Sequence, residues 1–128
     1  MMTELDAYLQ FRKEIDSMFY PEYRDNTIVI KEYDIQDGVI GLMIVDDGYI
    51  DCLWVKDKYR GKGLGYRIVK QYIDQYELPK TLRILHNNEK AKEFWNKVFY
   101  LREFESNPYD CLYGICGEKV RVSNNVCS

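Results

Sequence analysis

The chain has 128 residues, the size of one ordinary domain, so we expect a single domain spanning residues 1–128 with one hydrophobic core. Apolar residues make up 46% and charged residues 30%, which is typical of a soluble globular protein, and no apolar run is long enough to cross a bilayer. The net charge of -3, with lysines scattered among acidic residues, argues against nucleic-acid binding.

The four cysteines do not form a recognisable metal-binding pattern. They have no CxxC spacing, and His86 is the single histidine of the chain. We therefore predict no metal site and a reduced protein with free thiols. Because the start of the sequence also lacks a basic, apolar signal segment, we expect a cytoplasmic location.

The N-terminal part predicts one helix followed by three antiparallel strands. A threonine N-cap and apolar residues at helical spacing predict a helix from Thr3 to Tyr20, ended by Pro21. Short β-branched runs separated by turn signals predict strands at Thr27–Tyr33, Gly38–Val45 and Tyr49–Val55.

The later part begins with the glycine-rich stretch YRGKGLG, which starts at Tyr59. The elements predicted after it are the helix Leu64–Tyr76, the strand Thr81–Leu85, the helix Asn88–Phe99, and the strands Tyr100–Glu105 and Tyr109–Ile115. A strand, helix and strand in succession need a crossover connection, which predicts a parallel pair around the first of these helices. The polar residues 117–128 are expected to fray.

The glycine-rich stretch indicates an anion site. A glycine turn between a strand and a helix exposes several N–H groups at a helix N-terminus, where the macrodipole favours negative charge. Two common phosphate patterns do not fit: the dinucleotide fingerprint needs glycine at position 66, which is Tyr66, and the Walker loop has no match.

Two motifs resemble a known family. The stretch RGKGLG, beginning at Arg60 after a strand that ends in Leu53-x-Val55, resembles the pyrophosphate-binding R/Q-x-x-G-x-G/A segment of the GNAT family of N-acetyltransferases. The run NEKAKEFW, beginning at Asn88, looks like the N-x-x-A-x-x-F-Y/W helix of the same family. Either motif alone also fits an ordinary turn or a core helix. Together, in this order, they make the chain similar to this family over about residues 27–113.

The resemblance implies an α/β fold with a mixed (α+β) sheet: an N-terminal helix, antiparallel strands, a β-α-β-α unit with splayed parallel strands, and two C-terminal strands. It implies acetyl-CoA as co-substrate, bound by Leu53, Val55, Arg60, Gly61, Lys62, Gly63, Leu64, Gly65, Asn88 and Phe94. Two of these residues have structural alternatives, because Lys62 can be a solvated loop lysine and Asn88 a helix N-cap.

The chemistry implied is direct attack of an amine on the thioester, which needs a base for the amine and an acid for the departing thiolate. Strand alternation predicts that Tyr49, Asp51, Leu53 and Val55 share one face and that Cys52 lies on the other. Asp51 is therefore the first candidate base, with a solvent-facing strand aspartate as the alternative.

Two further residues are catalytic candidates. His86 follows the strand Thr81–Leu85, and histidine is a residue type suited to proton transfer near neutral pH, although a surface histidine is the ordinary alternative. Trp95 stands where many relatives carry a tyrosine that protonates the thiolate, so that role passes to Tyr100 or to solvent.

The predicted function is transfer of an acetyl group to a primary amine, either a small molecule or a protein lysine or N-terminus. The alternatives are an acyl-CoA-binding inhibitory or regulatory protein with little turnover, and a small α/β domain whose glycine turn is structural. Relatives often dimerise through their late strands, and the C-terminal segment here could serve the same purpose.

Overall fold

The computed structural model of the chain describes residues 2–15 and 21–119. In these ranges there are three α-helices, one 3₁₀ helix at Asp57–Tyr59 and six strands. The helices are α1 (Glu4–Glu14), α2 (Leu64–Gln75) and α3 (Glu89–Val98). The strands are β1 (Thr27–Asp34), β2 (Gly38–Asp46), β3 (Tyr49–Val55), β4 (Thr81–Leu85), β5 (Phe99–Ser106) and β6 (Asp110–Glu118). The predicted mixed α/β class is confirmed.

The chain divides into two compact units, Met1–Glu77 and Leu78–Ser128. The parallel pairing predicted for β3 and β4 would join the two units and stays a prediction, as does the single-domain organisation. No helix within the described ranges is long and apolar enough to cross a membrane.

The first unit is an antiparallel sheet, β1-β2-β3, with a helix on each face. Residues of α1 and of one sheet face form a buried apolar cluster: Ala7, Tyr8, Phe11, Val29, Val39, Leu42 and Ile44. On the other face α2 approaches β2 so closely that a Cβ on Gly41 would lie 2.8 Å from Ile68 Cδ1 and 3.2 Å from Leu64 Cδ2. Glycine at position 41 therefore lets α2 pack onto the sheet.

The first helix is shorter than predicted. Its threonine N-cap is confirmed, since Thr3 and Asp6 form a capping box. The helix ends at Glu14, however, and Ile15 already has an extended backbone with φ -91° and ψ 133°, a conformation that suits a β-branched residue. The remainder of the predicted helix, residues 16–20, lies outside the described residues.

The pairing of β2 with β3 contains a bulge. Ile44 and Val45 are adjacent in β2, but their partners in β3 are separated by one extra residue, Asp51. The alternation predicted along β3 is therefore interrupted there. The register places Tyr49 on the face opposite to Leu53, so the prediction that these two side chains share a face is wrong.

The second unit is an antiparallel sheet in the order β4-β6-β5, with α3 connecting β4 to β5. The apolar face of α3 buries Trp95 and Val98, and the Trp95 ring stacks on Phe99 with centroids 5.7 Å apart. β6 extends further than predicted: Gly117 and Glu118 pair with the start of β5. These two residues are thus part of the sheet rather than of a frayed tail, and residues 120–128 lie outside the described part.

Candidate functional site

The turn before α2 requires glycine for its backbone conformation. Gly61 and Gly63 have φ of 77° and 80°, in the left-handed region that other residues rarely adopt. A Cβ added to either glycine would meet no atom within 4 Å. Space is therefore open beside both residues, and the constraint on their identity is conformational rather than steric.

The N-terminus of α2 differs from those of the other two helices. Thr3 caps α1 and Asn88 caps α3 through side-chain oxygens, whereas Gly63 provides no side chain at the start of α2. Among the described residues no side chain caps α2, and its first turn contains no acidic residue. The first-turn N–H groups have no intrahelical acceptor and lie at the positive end of the helix dipole. This end of α2 can accept an anion.

The segment before the glycines is anchored to the turn between β1 and β2. The Tyr59 hydroxyl donates a 2.5 Å hydrogen bond to the Asp37 carboxylate, and Lys58 Nζ lies 2.9 Å from the same oxygen. The hydrogen bond from Tyr59, and to a smaller extent that from Lys58, holds the pKa of Asp37 below its usual value. The same hydrogen bond, with a smaller contribution from desolvation, raises the pKa of Tyr59 to about 12.

Arg60 is engaged within its own turn. Its Nε donates to the Val55 carbonyl oxygen at 2.7 Å, and its Nη1 lies 2.7 Å from Asp57 Oδ1. The guanidinium therefore links the end of β3 to the 3₁₀ helix. Lys62 is exposed, with Nζ 5.9 Å from the centroid of the Tyr59 ring.

The other residues predicted to bind the coenzyme in this unit belong to β3 and α2. Leu53 and Val55 are half-buried and pair with Met43 and Gly41 of β2. In α2, Leu64 is buried and Gly65 is half-buried in the first turn. The structure thus brings the loop Arg60–Gly65 to the end of β3 and the start of α2.

Asp51 is half-buried at the bulge of β3. The pKa of the neighbouring Cys52 thiol is raised to about 12. Burial is the main cause, and the negative charge of Asp51 is the second. A thiol with this pKa is almost fully protonated at neutral pH and is a poor nucleophile. The pKa therefore argues against Cys52 as a nucleophile, while the role of Asp51 as base stays a prediction.

In the second unit, Asn88 has the structural role that its sequence position suggested. Its Oδ1 accepts the backbone N–H of Ala91 at 3.0 Å, which caps α3. Phe94 is half-buried and packs edge-on against Trp95 with centroids 5.0 Å apart. Trp95 itself is 6% exposed, so its indole is a core side chain.

His86 is exposed and held by two hydrogen bonds to backbone carbonyls. Its backbone N–H donates to the Tyr109 oxygen at 2.9 Å, and its ring Nε2 lies 2.7 Å from the Asn107 oxygen. Because a carbonyl only accepts, the neutral ring carries its proton on Nε2, and Nδ1 is the basic atom.

Tyr100, the predicted acid, lies on β5, which is the outer strand of the β4-β6-β5 sheet. Its side chain is 54% exposed, with Lys119 Nζ 4.9 Å from the ring centroid. Its catalytic role stays a prediction.

One cluster escaped the sequence reasoning. Cys111 Sγ lies 3.9 Å from each ring nitrogen of His86 and 3.3 Å from Ser106 Oγ. Cys111 is far from His86 in sequence, and the pairing of β4 with β6 brings them together. The described residues contain no group of three or more His, Cys, Asp or Glu side chains arranged to hold a metal.

Similar structures share this fold at low sequence identity. An acetyltransferase from Thermus thermophilus aligns over 86% of this chain and 71% of its own, with a TM-score of 0.59 and 15% identity. A mutant of the spermidine N-acetyltransferase from Vibrio cholerae is 13% identical, with a TM-score of 0.57. The alignment covers 95% of this chain and 92% of that protein. The apo form of YjaB from Escherichia coli is 24% identical, with a TM-score of 0.54. The alignment covers 66% of this chain, and this chain spans 62% of the length of YjaB.

The family assignment comes from the sequence match. The model of the acetyltransferase (GNAT) family matches residues 3–99, about three quarters of the chain, which include β1–β3, the glycine turn and α3. No curated protein matches the chain. The chain therefore belongs to the GNAT family of acetyltransferases.

Proposed function

We propose that this protein is an N-acetyltransferase that binds acetyl-CoA at the glycine turn and transfers the acetyl group to a primary amine. The observation that carries the proposal is the uncapped N-terminus of α2, which follows two glycines with φ near 80° and open space beside them. A phosphate at this position would accept hydrogen bonds from the first-turn N–H groups, for which no described side chain serves as acceptor.

The chain's own residues suit the co-substrate. Gly61 and Gly63 leave room for close approach of phosphate oxygens, and Lys62 adds an exposed positive charge. We assign Arg60 a structural role in addition to coenzyme binding, because its bonds to Val55 and Asp57 brace the turn. When bound, acetyl-CoA supplies the thioester whose carbonyl the amine attacks. Leu53 and Val55 on β3, and Asn88 and Phe94 on α3, are proposed to contact its pantetheine arm.

For the base we retain Asp51 and His86. The bulge at Asp51 supports its candidacy, since a bulge changes the direction of a side chain relative to its strand. His86 has a basic Nδ1 because its Nε2–H is held by the Asn107 carbonyl. For the acid we retain Tyr100 or solvent.

The acceptor class is a primary amine, either a small molecule or a lysine or N-terminus of a protein. Spermidine N-acetyltransferases are among the similar structures, but at 13% and 14% identity the shared property is the fold. We further propose that the protein acts in the cytoplasm as a soluble enzyme, in keeping with the free thiols of Cys52, Cys111 and Cys116, and that its late strands form a homodimer.

A second candidate function is favoured by Trp95. Where many relatives carry a tyrosine acid, this chain has an indole that is buried and stacked on Phe99. An indole N–H is not a useful acid. A protein that binds an acyl-CoA and regulates a partner, with little turnover, would fit this departure.

Calorimetric titration tests coenzyme binding. We would compare acetyl-CoA with acetylpantetheine, which lacks the pyrophosphate and nucleotide, on wild type, Gly63→Trp and Gly48→Trp. Gly48 lies in the β2–β3 turn with φ 81°, so its variant has the same backbone penalty as Gly63→Trp at a different place.

The proposal expects strong binding of acetyl-CoA that is lost with acetylpantetheine and in Gly63→Trp but kept in Gly48→Trp. Equal affinity of Gly63→Trp and Gly48→Trp for acetyl-CoA would refute the proposed phosphate site at the glycine turn. An amine panel, with free CoA as the readout, then separates the two functions, because binding without release of CoA supports the regulatory protein.

A further inference from the structure

We propose that Tyr59 and Asp37 are positioning residues for the proposed phosphate site: the hydrogen bond between their side chains holds the glycine turn in the conformation that binds acetyl-CoA. The inference rests on the coenzyme binding proposed above and deepens it, because it adds two residues that act on the site through the turn. All the contacts on which it depends lie within the first unit.

The glycine turn needs support from outside, because its own residues restrict it little. Glycine loses more conformational freedom on ordering than any other residue. Gly61 and Gly63 adopt positive φ, and a Cβ on either would meet no atom within 4 Å, so neighbouring atoms do not crowd these positions. When only a fraction of the molecules has the competent conformation, the observed affinity falls by that fraction. Contacts that select this conformation before binding therefore strengthen binding.

Tyr59 attaches the entry of the turn to the β1–β2 hairpin. It is the last residue of the 3₁₀ helix, two residues before Gly61, and its hydroxyl donates to Asp37 Oδ2 at 2.5 Å. The pKa of Asp37 is lowered and that of Tyr59 is raised to about 12, so at neutral pH the acceptor is ionised and the donor is protonated. Hydrogen bonds to an ionised carboxylate are among the stronger ones in proteins.

Asp37 is a fixed acceptor because α1 holds its hairpin. Gln10 Nε2 donates to the Asp37 carbonyl oxygen at 3.2 Å, and Gln10 Oε1 accepts from the Val39 N–H at 3.1 Å. Gly38, between these two residues, has φ 75°, and a Cβ there would collide with the Gln10 amide. The lack of a side chain at position 38 therefore makes room for the amide. The hairpin cannot move away from α1 without breaking both bonds.

A second contact from α1 holds the start of the segment that leads to the turn. Lys56 Nζ lies 2.6 Å from Glu14 Oε1, and these side chains are only 28% and 27% exposed. The Lys56 N–H also donates to the Ile40 carbonyl oxygen of β2 at 2.8 Å. The segment from Lys56 to Tyr59 is thus held at both ends, and the glycine turn begins directly after the second.

The Tyr59 ring also lies beside two lysines. Lys58 Nζ is 5.7 Å and Lys62 Nζ is 5.9 Å from the ring centroid, within the range of cation–π attraction. Lys58 Nζ is also 2.9 Å from the Asp37 carboxylate, so it offsets a negative charge that would repel a nearby phosphate. Fixing the ring therefore also places Lys62, the lysine that adds positive charge to the glycine turn.

The first test compares acetyl-CoA affinity in the wild type, Tyr59→Phe and Tyr33→Phe, by calorimetry at a temperature where the proteins are folded. Tyr59→Phe keeps the ring and deletes the bond to Asp37 without changing the charge. We expect its dissociation constant to rise roughly three- to tenfold, as for a lost hydrogen bond that selects the competent conformation. Tyr33→Phe removes a hydroxyl from an exposed tyrosine of β1 and should bind like the wild type.

A second set of variants connects the effect to Asp37. In Asp37→Asn the amide oxygen can still accept from the Tyr59 hydroxyl, whereas in Asp37→Ala the acceptor is gone. Adding Tyr59→Phe should therefore weaken acetyl-CoA binding in Asp37→Asn and leave it unchanged in Asp37→Ala. A tyrosine that only stabilises the fold would change the unfolding free energy without changing the affinity of the folded protein.

The outcomes separate this inference from the proposed function. A wild type that binds no acetyl-CoA would refute the proposed function, whereas full affinity in a folded Tyr59→Phe would overturn only the positioning role. An equal loss on adding Tyr59→Phe to Asp37→Asn and to Asp37→Ala would also overturn it, because the hydroxyl would then act without this acceptor. Should Tyr59→Phe not fold, weaker binding by Asp37→Ala than by Asp37→Asn supports the role, and equal binding overturns it.

Discussion

The hydroxyl of Tyr59 and the carboxylate of Asp37, 2.5 Å apart, join the β1–β2 turn to the segment that leads into the glycine turn. The other side of the β1–β2 turn is held by α1, where Gln10 donates to the Asp37 carbonyl and accepts from the Val39 N–H at 3.2 and 3.1 Å. The glycine turn is thus supported through a continuous set of contacts from α1.

We predict that Tyr59→Phe destabilises the protein in a pH-dependent manner. Asp37 has a lowered pKa in the fold, so the stability it contributes is present above its ordinary pKa of 3.8 and is lost as the pH falls through the lowered value. Tyr59 has a raised pKa, so its contribution is full below pH 10.0 and is lost as the pH rises through about 12.

Urea unfolding of wild type and Tyr59→Phe at several pH values measures this difference. The gap between the two should be largest near neutral pH and should shrink in acid and in strong alkali. Tyr109→Phe, at a tyrosine that is 78% exposed, is the control and should show no such gap. A gap of constant size from strongly acidic to neutral pH would exclude the Asp37 contact as its source.

Gly63→Ala should lower stability by roughly 1–2 kcal/mol, because an L residue is strained at φ 80° even where space is open. Gly63→Asn should cost less, since asparagine tolerates this conformation. Gly114→Ala is the matched control, because Gly114 has no positive φ and its added Cβ would make only an ordinary contact, 3.9 Å from Arg102 O. Equal unfolding free energies for the alanine variants at 63 and 114 would contradict the assignment.

Asn88→Ala should destabilise the protein by about 1 kcal/mol, the usual cost of a lost N-cap. Asn88→Ser should restore most of that stability, since serine also caps helices. Acetyl-CoA affinity, measured on the same variants, separates capping from ligand contact. If capping is the whole role, serine restores affinity together with stability; affinity that only asparagine supports would reveal a direct contact.

Trp95→Ala should cost about 3–5 kcal/mol in denaturant unfolding, because it removes a buried ring stacked on Phe99. Trp95→Phe keeps an aromatic ring at this position and should lose much less. As the indole is not expected to act as an acid, Trp95→Phe should retain turnover. A folded Trp95→Phe protein with little turnover would give Trp95 a catalytic role after all.

Asp51→Asn should lower turnover by about 10²-fold if Asp51 is the general base, with acetyl-CoA affinity unchanged. Asp47→Asn provides the same charge change in the β2–β3 turn, where asparagine also tolerates the φ of 51°. Steady-state rates across pH would be compared for both variants. Equal rates for Asp51→Asn and Asp47→Asn at every pH would remove Asp51 as the base.

Local chemistry was sufficient to predict most elements. The caps at Thr3 and Asn88 and the strand Thr81–Leu85 are as predicted, because capping and strand preference depend on neighbouring residues. The glycine turn was also predictable, since the spacing of glycines before an apolar helix reflects positive φ at Gly61 and Gly63. The sequence by itself therefore determined the class of fold, the family and the position of the candidate phosphate site.

Tertiary structure decided the features that depend on pairing between distant segments. The bulge at Asp51 arises from the register of β2 against β3, which alternation within one strand cannot reveal. The partners of Arg60 likewise follow from how the chain turns after β3. Cys111 and His86 lie side by side because β6 returns antiparallel to β4. Such contacts depend on strand register rather than on local preference, so only the folded chain shows which thiol stands beside the histidine.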